Sequence, residues 1–435
     1  MDEQPVPRIL PRQEHPLSLS FIDPDALKIL YRLHYRGFRA YLVGGCVRDL
    51  LLGKIPKDFD VATDAHPQQI RELFRNSRLI GRRFRLAHIF FKNNKFIEVS
   101  TFRRRSEFEE EGEKDPPRSD NTFGTPSEDA FRRDITINGV FYNIADFSLI
   151  DYVGGLEDLR RKIIRCIGDP EEKFTSDPVR MIRVIRHAAR TGFTIEEKTY
   201  RSLIGHVEKL HLCSPSRVRE EFMRELREGP VQESMKKMLT SGMLFSLFPS
   251  FSQPLADAGQ REYFIKIITA IDDLHASGKV PAEEFCLALF LLPCLGFYCP
   301  PGRFPPGRRG QAIFHQQVRE WVTETMRPLQ FARQVREATI HLLGAQRIFS
   351  EFQPQRNLPW SFTRQSYFSQ ARHLFEIDAR ARGEESAALS WPTGAETPTG
   401  ERKKRRRRRK KKRSPSSEKK PKENPLPNLL EIPHL

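Results

Sequence analysis

The sequence predicts an α/β head built on a small mixed sheet, followed by a long all-helical segment and a disordered basic C-terminus. Three observations carry this reading. Between residues 21 and 168, short apolar runs alternate with amphipathic stretches, the pattern of strands and helices that share one sheet. From about 169 to 383 the apolar period is helical, with Pro- and Gly-rich punctuation such as CPPGRFPPGRRG at 299–310. From 384 the composition collapses to Gly, Ser, Glu and Pro and then to RKKRRRRRKKKR, too polar and too charged to build a core.

Taken in order, residues 1–20 read as a disordered leader. DPDALKILYRLHYRG is a capped amphipathic helix that ends at Gly37. FRAYLVGG is an apolar strand entering a glycine turn, VRDLLLGK a short helix, KDFDVAT a second strand and HPQQIRELFRN a helix. SRLIGR, FRLAHIFF and KFIEVSTF read as successive strands. The stretch 103–123 has no apolar period and mixed charge blocks, and reads as a mobile loop. SEDAFRRDITINGVFYN resumes as a helix. SDPVRMIRVIRHAARTGF is a strongly amphipathic helix with Val179, Ile182 and Ile185 on one side.

The chain has 435 residues and a formal net charge of +17, with a pI near 9.7. Residues 401–435 alone carry 15 Lys/Arg against 4 Asp/Glu, a net of +11, so the other 400 residues carry +6. A polycationic tail on a mildly basic body points to nucleic acid, bound through the phosphate backbone. Arg405, Arg406 and Arg407 stand at the centre of that tail. The six cysteines form no C-x-x-C pair and read as free thiols. No run approaches the roughly 18 apolar residues of a membrane span and no export signal is visible, so the expected location is cytoplasmic.

The chemistry concentrates in YLVGGCVRDLLLGKIPKDFD at 41–60. A strand running through Gly44-Gly45 into a helix brings backbone N–H groups close to a phosphate. Arg48, in the first turn of that helix, could grip a triphosphate oxygen. Asp58 and Asp60 are two apart, which on a strand aims both carboxylates to one side. Such a pair is costly without a cation, and Mg²⁺ favours carboxylate plus triphosphate oxygens. A two-ion site calls for a third carboxylate. Spacing leaves Glu98 and Asp134 both open.

At this point YLVGGCVRD, KDFDVAT, FRRDITIN and DPVRMIRVIRHAAR resemble, in order and spacing, the class II nucleotidyltransferase superfamily, which holds bacterial poly(A) polymerases and CCA-adding enzymes. The resemblance spans roughly residues 25–250. It implies the nucleotidyltransferase fold: a head at 21–168, a neck at 169–250 that selects the nucleotide and binds RNA, a helical body and tail at 251–383, and a polybasic extension at 384–435. It implies Asp58 and Asp60 as the metal-binding aspartates, with Asp134 as the third acidic residue. It assigns Gly45 and Arg48 to the triphosphate and Arg133 to the nucleotide. Asp177 and Arg180 become the pair that reads the incoming base, with Arg183 one helical turn on. SRVREEF at 216–222 resembles the motif that braces that pair. The family usually has Glu-Asp where this chain has Ser176-Asp177, which bears on how the pair is held.

Residues 79–89, LIGRRFRLAHI, resemble a G-[RK]-[RK]-F-x-L-x-H signature of the poly(A) branch, with Arg82 and Arg83 as RNA contacts. The expectation is therefore a template-independent polymerase adding AMP from ATP to RNA 3′ ends, with two Mg²⁺ ions and with RNA-decay machinery as a further candidate partner. CCA addition to tRNA is the alternative, and a non-catalytic RNA-binding protein the second. No His-Asp dipeptide occurs in the chain, so the phosphohydrolase domain appended to some CCA-adding enzymes is not expected.

Overall fold

The computed structural model describes residues 6–81, 86–104, 123–351 and 358–384. The head forms around β1 (Arg8–Leu10), β2 (Ala40–Val43), β3 (Asp60–Thr63), β4 (Ser77–Ile80), β5 (Leu86–Phe90), β6 (Phe96–Thr101), β7 (Val140–Asn143) and β8 (Leu149–Asp151). Among the described residues these make one sheet in the order β1-β8-β7-β2-β3-β6-β5-β4. Only β3 and β6 pair in parallel; the other neighbours are antiparallel. The mixed sheet expected from the sequence is present.

One face of the sheet is closed by helices α1 (Pro24–Tyr35), α2 (Gly45–Leu51) and α3 (Pro67–Leu73). The first forms because Asp23 accepts the Asp25 N–H at 2.8 Å and Pro24 opens the helix. Ala26, Ile29, Leu30 and Leu33 then fall on one buried stripe. They meet Leu42, Val61, Ala87, Ile89, Ile97 and Val99, the strand residues of that face. The opposite face carries a smaller cluster of Tyr41, Val43, Ala62, Phe102, Phe141 and Ile150 with Ala130 of α4 (Pro126–Phe131).

Three sequence expectations are corrected here. Residues 6–20 are not a loose leader: β1 pairs with β8, Leu17 is buried in the core, and the ring of His15 reaches the carbonyl of Phe147 at 2.9 Å. The segment 127–143 is not one helix. The Thr125–Glu128 capping box starts α4, which stops at Phe131. The chain then takes a short 3₁₀ turn at Thr136–Asn138 and enters β7. Finally, Asp58 lies ahead of β3, which begins at Asp60.

After α5 (Gly155–Arg161), strand β9 (Ile163–Ile164) pairs with β10 (Thr194–Ile195) and frames the helices α6 (Pro170–Ser176) and α7 (Arg180–Thr191). The remainder is helical: α8 (Glu197–His206), α9 (Pro215–Glu228), α10 (Val231–Thr240), α11 (Met243–Leu247), α12 (Ala258–Ala276), α13 (Glu283–Tyr298), α14 (Gly307–Met326), α15 (Arg333–Glu351), α16 (Trp360–Thr363) and α17 (Phe368–Ala381). One continuous core runs from Ile135 through α7 and α9 to Ile377. The boundary expected at 250–251 falls inside it, where Phe248 and Phe251 both pack on Phe290 with centroids 5.0 and 4.7 Å away. No described helix is long and apolar enough to cross a membrane. The six cysteines are unpaired. The 384–435 extension beyond Glu384, with Arg405, Arg406 and Arg407, lies outside the described residues, as do Arg82, Arg83 and most of the 103–123 loop.

Candidate active site

The buried strand β2 ends at Val43, and Gly44 turns the chain into α2 with φ +77°. That conformation belongs to glycine, and the space demands it too. A Cβ on Gly44 would stand 3.4 Å from Nη1 of Arg133 and 3.8 Å from Oδ2 of Asp60. The turn thus sits between a cation and a carboxylate, in a cavity of about 520 Å³ lined by both.

Asp60 opens β3 opposite Val43 on one side and Glu98 on the other. Its carboxyl is pushed up to about 6 by burial first, then by the nearby charge of Glu98, with Asp58 adding to it and Arg133 opposing. Burial also raises Glu98, against the pull of Arg103. Among the described residues neither Asp58 nor Asp60 has a side-chain hydrogen-bond or ion-pair partner. Crowded carboxylates with no direct ion-pair partner suit a hard divalent cation. No three His, Cys, Asp or Glu side chains among the described residues stand close enough to share one ion. The Asp58–Asp60 pair would therefore need oxygens from a bound phosphate to complete a shell, the usual arrangement for Mg²⁺.

The opposite wall is cationic. Arg133 is fixed by Asp129, whose Oδ2 accepts from Nε at 3.1 Å and Nη2 at 2.8 Å, and its guanidinium lies 5.4 Å from the Phe141 ring centroid. Burial would raise the Asp129 carboxyl, but Arg133 and Arg132 outweigh it and hold Asp129 below the usual carboxylate range. Arg48 is buried, donating to Asp49 at 2.8 Å and to Asn138 at 2.9 Å, with Nδ1 of His187 3.3 Å away. His187 is held neutral, its pKa driven well below the ordinary value by burial and by Arg48.

Asp134 lines the same cavity. Both its oxygens are taken: Oδ1 by Nη1 of Arg180 at 2.5 Å and Oδ2 by Nη1 of Arg183 at 3.0 Å. Those two arginines outweigh burial and keep Asp134 ionised below its ordinary range. Asp177 is the C-cap of α6, three residues ahead of the start of α7, and does not line the cavity. Its Oδ2 accepts from Arg217 at 3.0 Å and lies 3.6 Å from Nε of Arg180. Its buried Oδ1 and the buried Nε of Arg180 have no hydrogen-bond partner. From α9, Arg217 thus braces Asp177, while Glu221 accepts from Arg183 at 2.8 Å and also pairs with Arg186.

The structure therefore brings Gly44, Gly45, Arg48, Asp58, Asp60, Arg133, Asp134, Arg180 and Arg183 into one cavity, with Glu98. Sequence reasoning missed Asn138, His187 and Asp129. His187 carried a signal: Arg180, Arg183, His187 and Arg190 repeat at helical spacing on one face of α7 and all line the cavity.

Residues 40–165 match the family model described as the poly A polymerase head domain. Residues 192–254 match the probable RNA and SrmB-binding site of polymerase A. A poly(A) polymerase I of Escherichia coli O6:H1 is 41% identical over 303 residues, 67% of this chain and 65% of the relative. The match thus spans just under two thirds of that relative. A CCA-adding enzyme of Lactobacillus delbrueckii subsp. bulgaricus is 36% identical over 229 residues, 52% of this chain and 56% of the relative. Among solved structures, the Bacillus stearothermophilus CCA-adding enzyme in complex with CTP superposes with a TM-score of 0.58 at 24% identity, covering 85% of this chain and 80% of the other.

Proposed function

Starting from a chain that belongs to the nucleotidyltransferases with a poly A polymerase head domain, we propose that it transfers AMP from ATP to the 3′ end of RNA without a template. The observation that carries nucleotidyl transfer is the facing of two walls across the Gly44 turn: Asp58, Asp60 and Glu98 against Arg133 and Arg48. This reading places the triphosphate between them. The carboxylates would hold Mg²⁺, which supplies Lewis-acid activation of the attacking hydroxyl and offsets the negative charge of the leaving pyrophosphate.

The chain's own residues do the rest. Backbone N–H groups at the Gly44–Gly45 turn and the guanidiniums of Arg48 and Arg133 bind phosphate oxygens and hold the α-phosphorus in line for attack. Asn138 and His187 aim Arg48. Arg180 lines the cavity and Asp177 stands behind it; the buried, unpartnered Nε of the one and Oδ1 of the other are a donor and an acceptor with unused capacity, the pair this reading assigns to the edge of the incoming base. Asp134 enters the proposal as the group that fixes Arg180 and Arg183. Glu98 becomes the carboxylate that joins the aspartate pair when substrate is bound. The choice of ATP and of long A tails rests on the likeness to the poly(A) polymerase I relatives. A cytoplasmic location belongs to the same proposal.

The test supplies the purified protein with an unrelated RNA oligomer, Mg²⁺ and one nucleotide at a time. Ladders with ATP alone are expected. CTP incorporation confined to truncated tRNA ends would instead establish CCA addition, and no incorporation on any RNA would establish a binding protein.

A further inference from the structure

The row of residues that begins at Asp60 does not stop at the carboxylates. Strand register continues it across the sheet: Asp60 pairs with Glu98, Glu98 with His88, and His88 with Arg78. All four project from one face, because paired residues in a sheet share a side. On the β2, β7 and β8 half, that face is covered by the cluster around Phe141 and Ala130. Over β4, β5 and β6 no described residue covers it. Leu86, His88 and Phe90 of β5 are only half-buried, Phe96 is 49% exposed, and Arg78 and Ile80 of β4 are exposed.

The open face is aromatic. The rings of His88 and Phe96 stack with centroids 4.2 Å apart and planes 11° from parallel. Phe90 packs beside them, 6.1 Å from Phe96, and the guanidinium of Arg78 lies 5.6 Å from the Phe90 centroid. On its other side, Nε2 of His88 lies 3.8 Å from Oε2 of Glu98, which ties the aromatic face to the carboxylates. Strand spacing puts Phe96 roughly 8 Å from Asp60, one strand across and two residues along. The cavity itself extends onto this side, since Leu86, Glu98 and Ser100 line it.

We propose that the His88–Phe96–Phe90 face is the stacking platform for the last bases of the acceptor RNA. This rests on the nucleotidyl-transfer reading given above. Three arguments commit the face to that occupant. It is continuous with the carboxylates on the side away from Gly44, Arg133 and Arg180, so it is the side left for the attacking strand once a triphosphate lies among the arginines. Its exposed half-ring beside a guanidinium is the surface that stacks single-stranded bases without reading sequence. A distance of about 8 Å from the reacting centre matches one to two nucleotides of a strand whose 3′-hydroxyl sits at Asp58 and Asp60.

The experiment uses the full chain and measures steady-state kinetics with a short oligoadenylate, varying RNA and ATP separately. Phe96→Ala is expected to raise KM for RNA by about 5- to 100-fold, the range for losing one stacked base. KM for ATP and kcat at saturating RNA should stay within about twofold. Phe96→Trp should restore RNA binding. An oligomer with abasic sites at its last two positions before the terminal residue should weaken the wild-type protein as the mutation does, and weaken Phe96→Ala no further. An RNA KM unchanged in Phe96→Ala overturns the proposal. So does a mutation that alters the oligomeric state and leaves RNA binding intact, which would make the face a contact between copies. Wild-type protein that binds the oligomer with full dependence on Phe96 yet incorporates no nucleotide would sink the enzymatic reading and leave the platform standing.

Discussion

Nη1 of Arg180 lies 2.5 Å from Oδ1 of Asp134, joining the first residue of helix α7 to the turn that follows α4 in the head. Arg183 takes the second oxygen of Asp134 and, from its other side, Glu221 of α9. The joint between head and helices is thus a chain of charge-assisted hydrogen bonds running Glu221–Arg183–Asp134–Arg180. A carboxylate with both oxygens committed in this way orients arginines better than it binds a cation.

Asp134→Asn keeps the shape and removes the charge that fixes two guanidiniums. The expected outcome is a loss of nucleotide discrimination, with the ratio of kcat/KM for ATP over CTP falling about tenfold, the scale of one charged hydrogen bond. The fall in kcat should be smaller than for Asp60→Ala. Collapse of kcat to the Asp60→Ala level with unchanged discrimination would make Asp134 a catalytic carboxylate in its own right.

Asp60→Ala removes the carboxylate closest to both Glu98 and the glycine turn. The expected loss in AMP incorporation is at least about 10²–10³-fold, the cost of removing one preorganised electrostatic stabiliser. RNA binding measured without nucleotide should be unaffected. Near-wild-type incorporation would show that the metal pair lies elsewhere.

The raised carboxyl of Asp60 has a pH consequence with a definite sign. Its folded value is about 6 against an ordinary 3.8, so between those values the folded protein binds more protons than the unfolded chain. The linkage slope is then negative: Asp60 detracts from stability progressively as pH rises from about 4 to 6, and the full cost is present above 6. A divalent cation offsets it. Adding Mg²⁺ should therefore raise Tm more at pH 7.5 than at pH 4.5. Asp60→Asn, which has no charge to offset, should be more stable than wild type at pH 7.5 without metal and should lose most of the metal-dependent gain. At limiting Mg²⁺, kcat/KM for ATP should rise through pH 6. Equal metal effects at both pH values would refute the assignment.

Much of this site was legible because its signals are local. An apolar run into Gly44-Gly45 is the strand, turn and helix start in eight residues, and the Asp58–Asp60 spacing marked the carboxylates even though Asp58 proved to precede the strand. What escaped the sequence is non-local. Arg8–Leu10 is a three-residue strand whose partner, β8, lies some 140 residues on, so nothing nearby distinguished it from a leader. Residues 127–143 kept a helix-like mix of polar and apolar types. Their break was decided by tertiary partners, Ile135 bridging to Cys166 and β7 pairing with β2 and β8. Asn138 and His187 are 49 residues apart, and only the fold brings their side chains to 3.3 Å. The facing of Asp60, Glu98, His88 and Arg78 depends on the register of four strands.

Arg186 supplies the last prediction, on stability. It is buried in α7 and pairs with both Glu221 and Glu225 of α9, while Ser234 donates to the other oxygen of Glu225 at 2.8 Å. Burial drives Glu225 up, and Arg186 opposes it. Arg186→Met fills a similar volume but leaves Glu225 without its counter-ion, which should destabilise the protein by about 3–5 kcal/mol at pH 7. The sign of the pH dependence follows. Without the guanidinium, the folded value of Glu225 rises further above its unfolded one, so the variant loses stability as pH climbs through that range and regains it on acidification. Urea unfolding at pH 5 and pH 7.5 should show the gap between wild type and Arg186→Met narrowing at the lower pH. Adding Glu225→Gln to Arg186→Met should recover part of the loss at pH 7.5 and little at pH 5. A gap independent of pH would mean that the arginine acts through packing and its bond to the Glu221 carbonyl rather than by neutralising the pair.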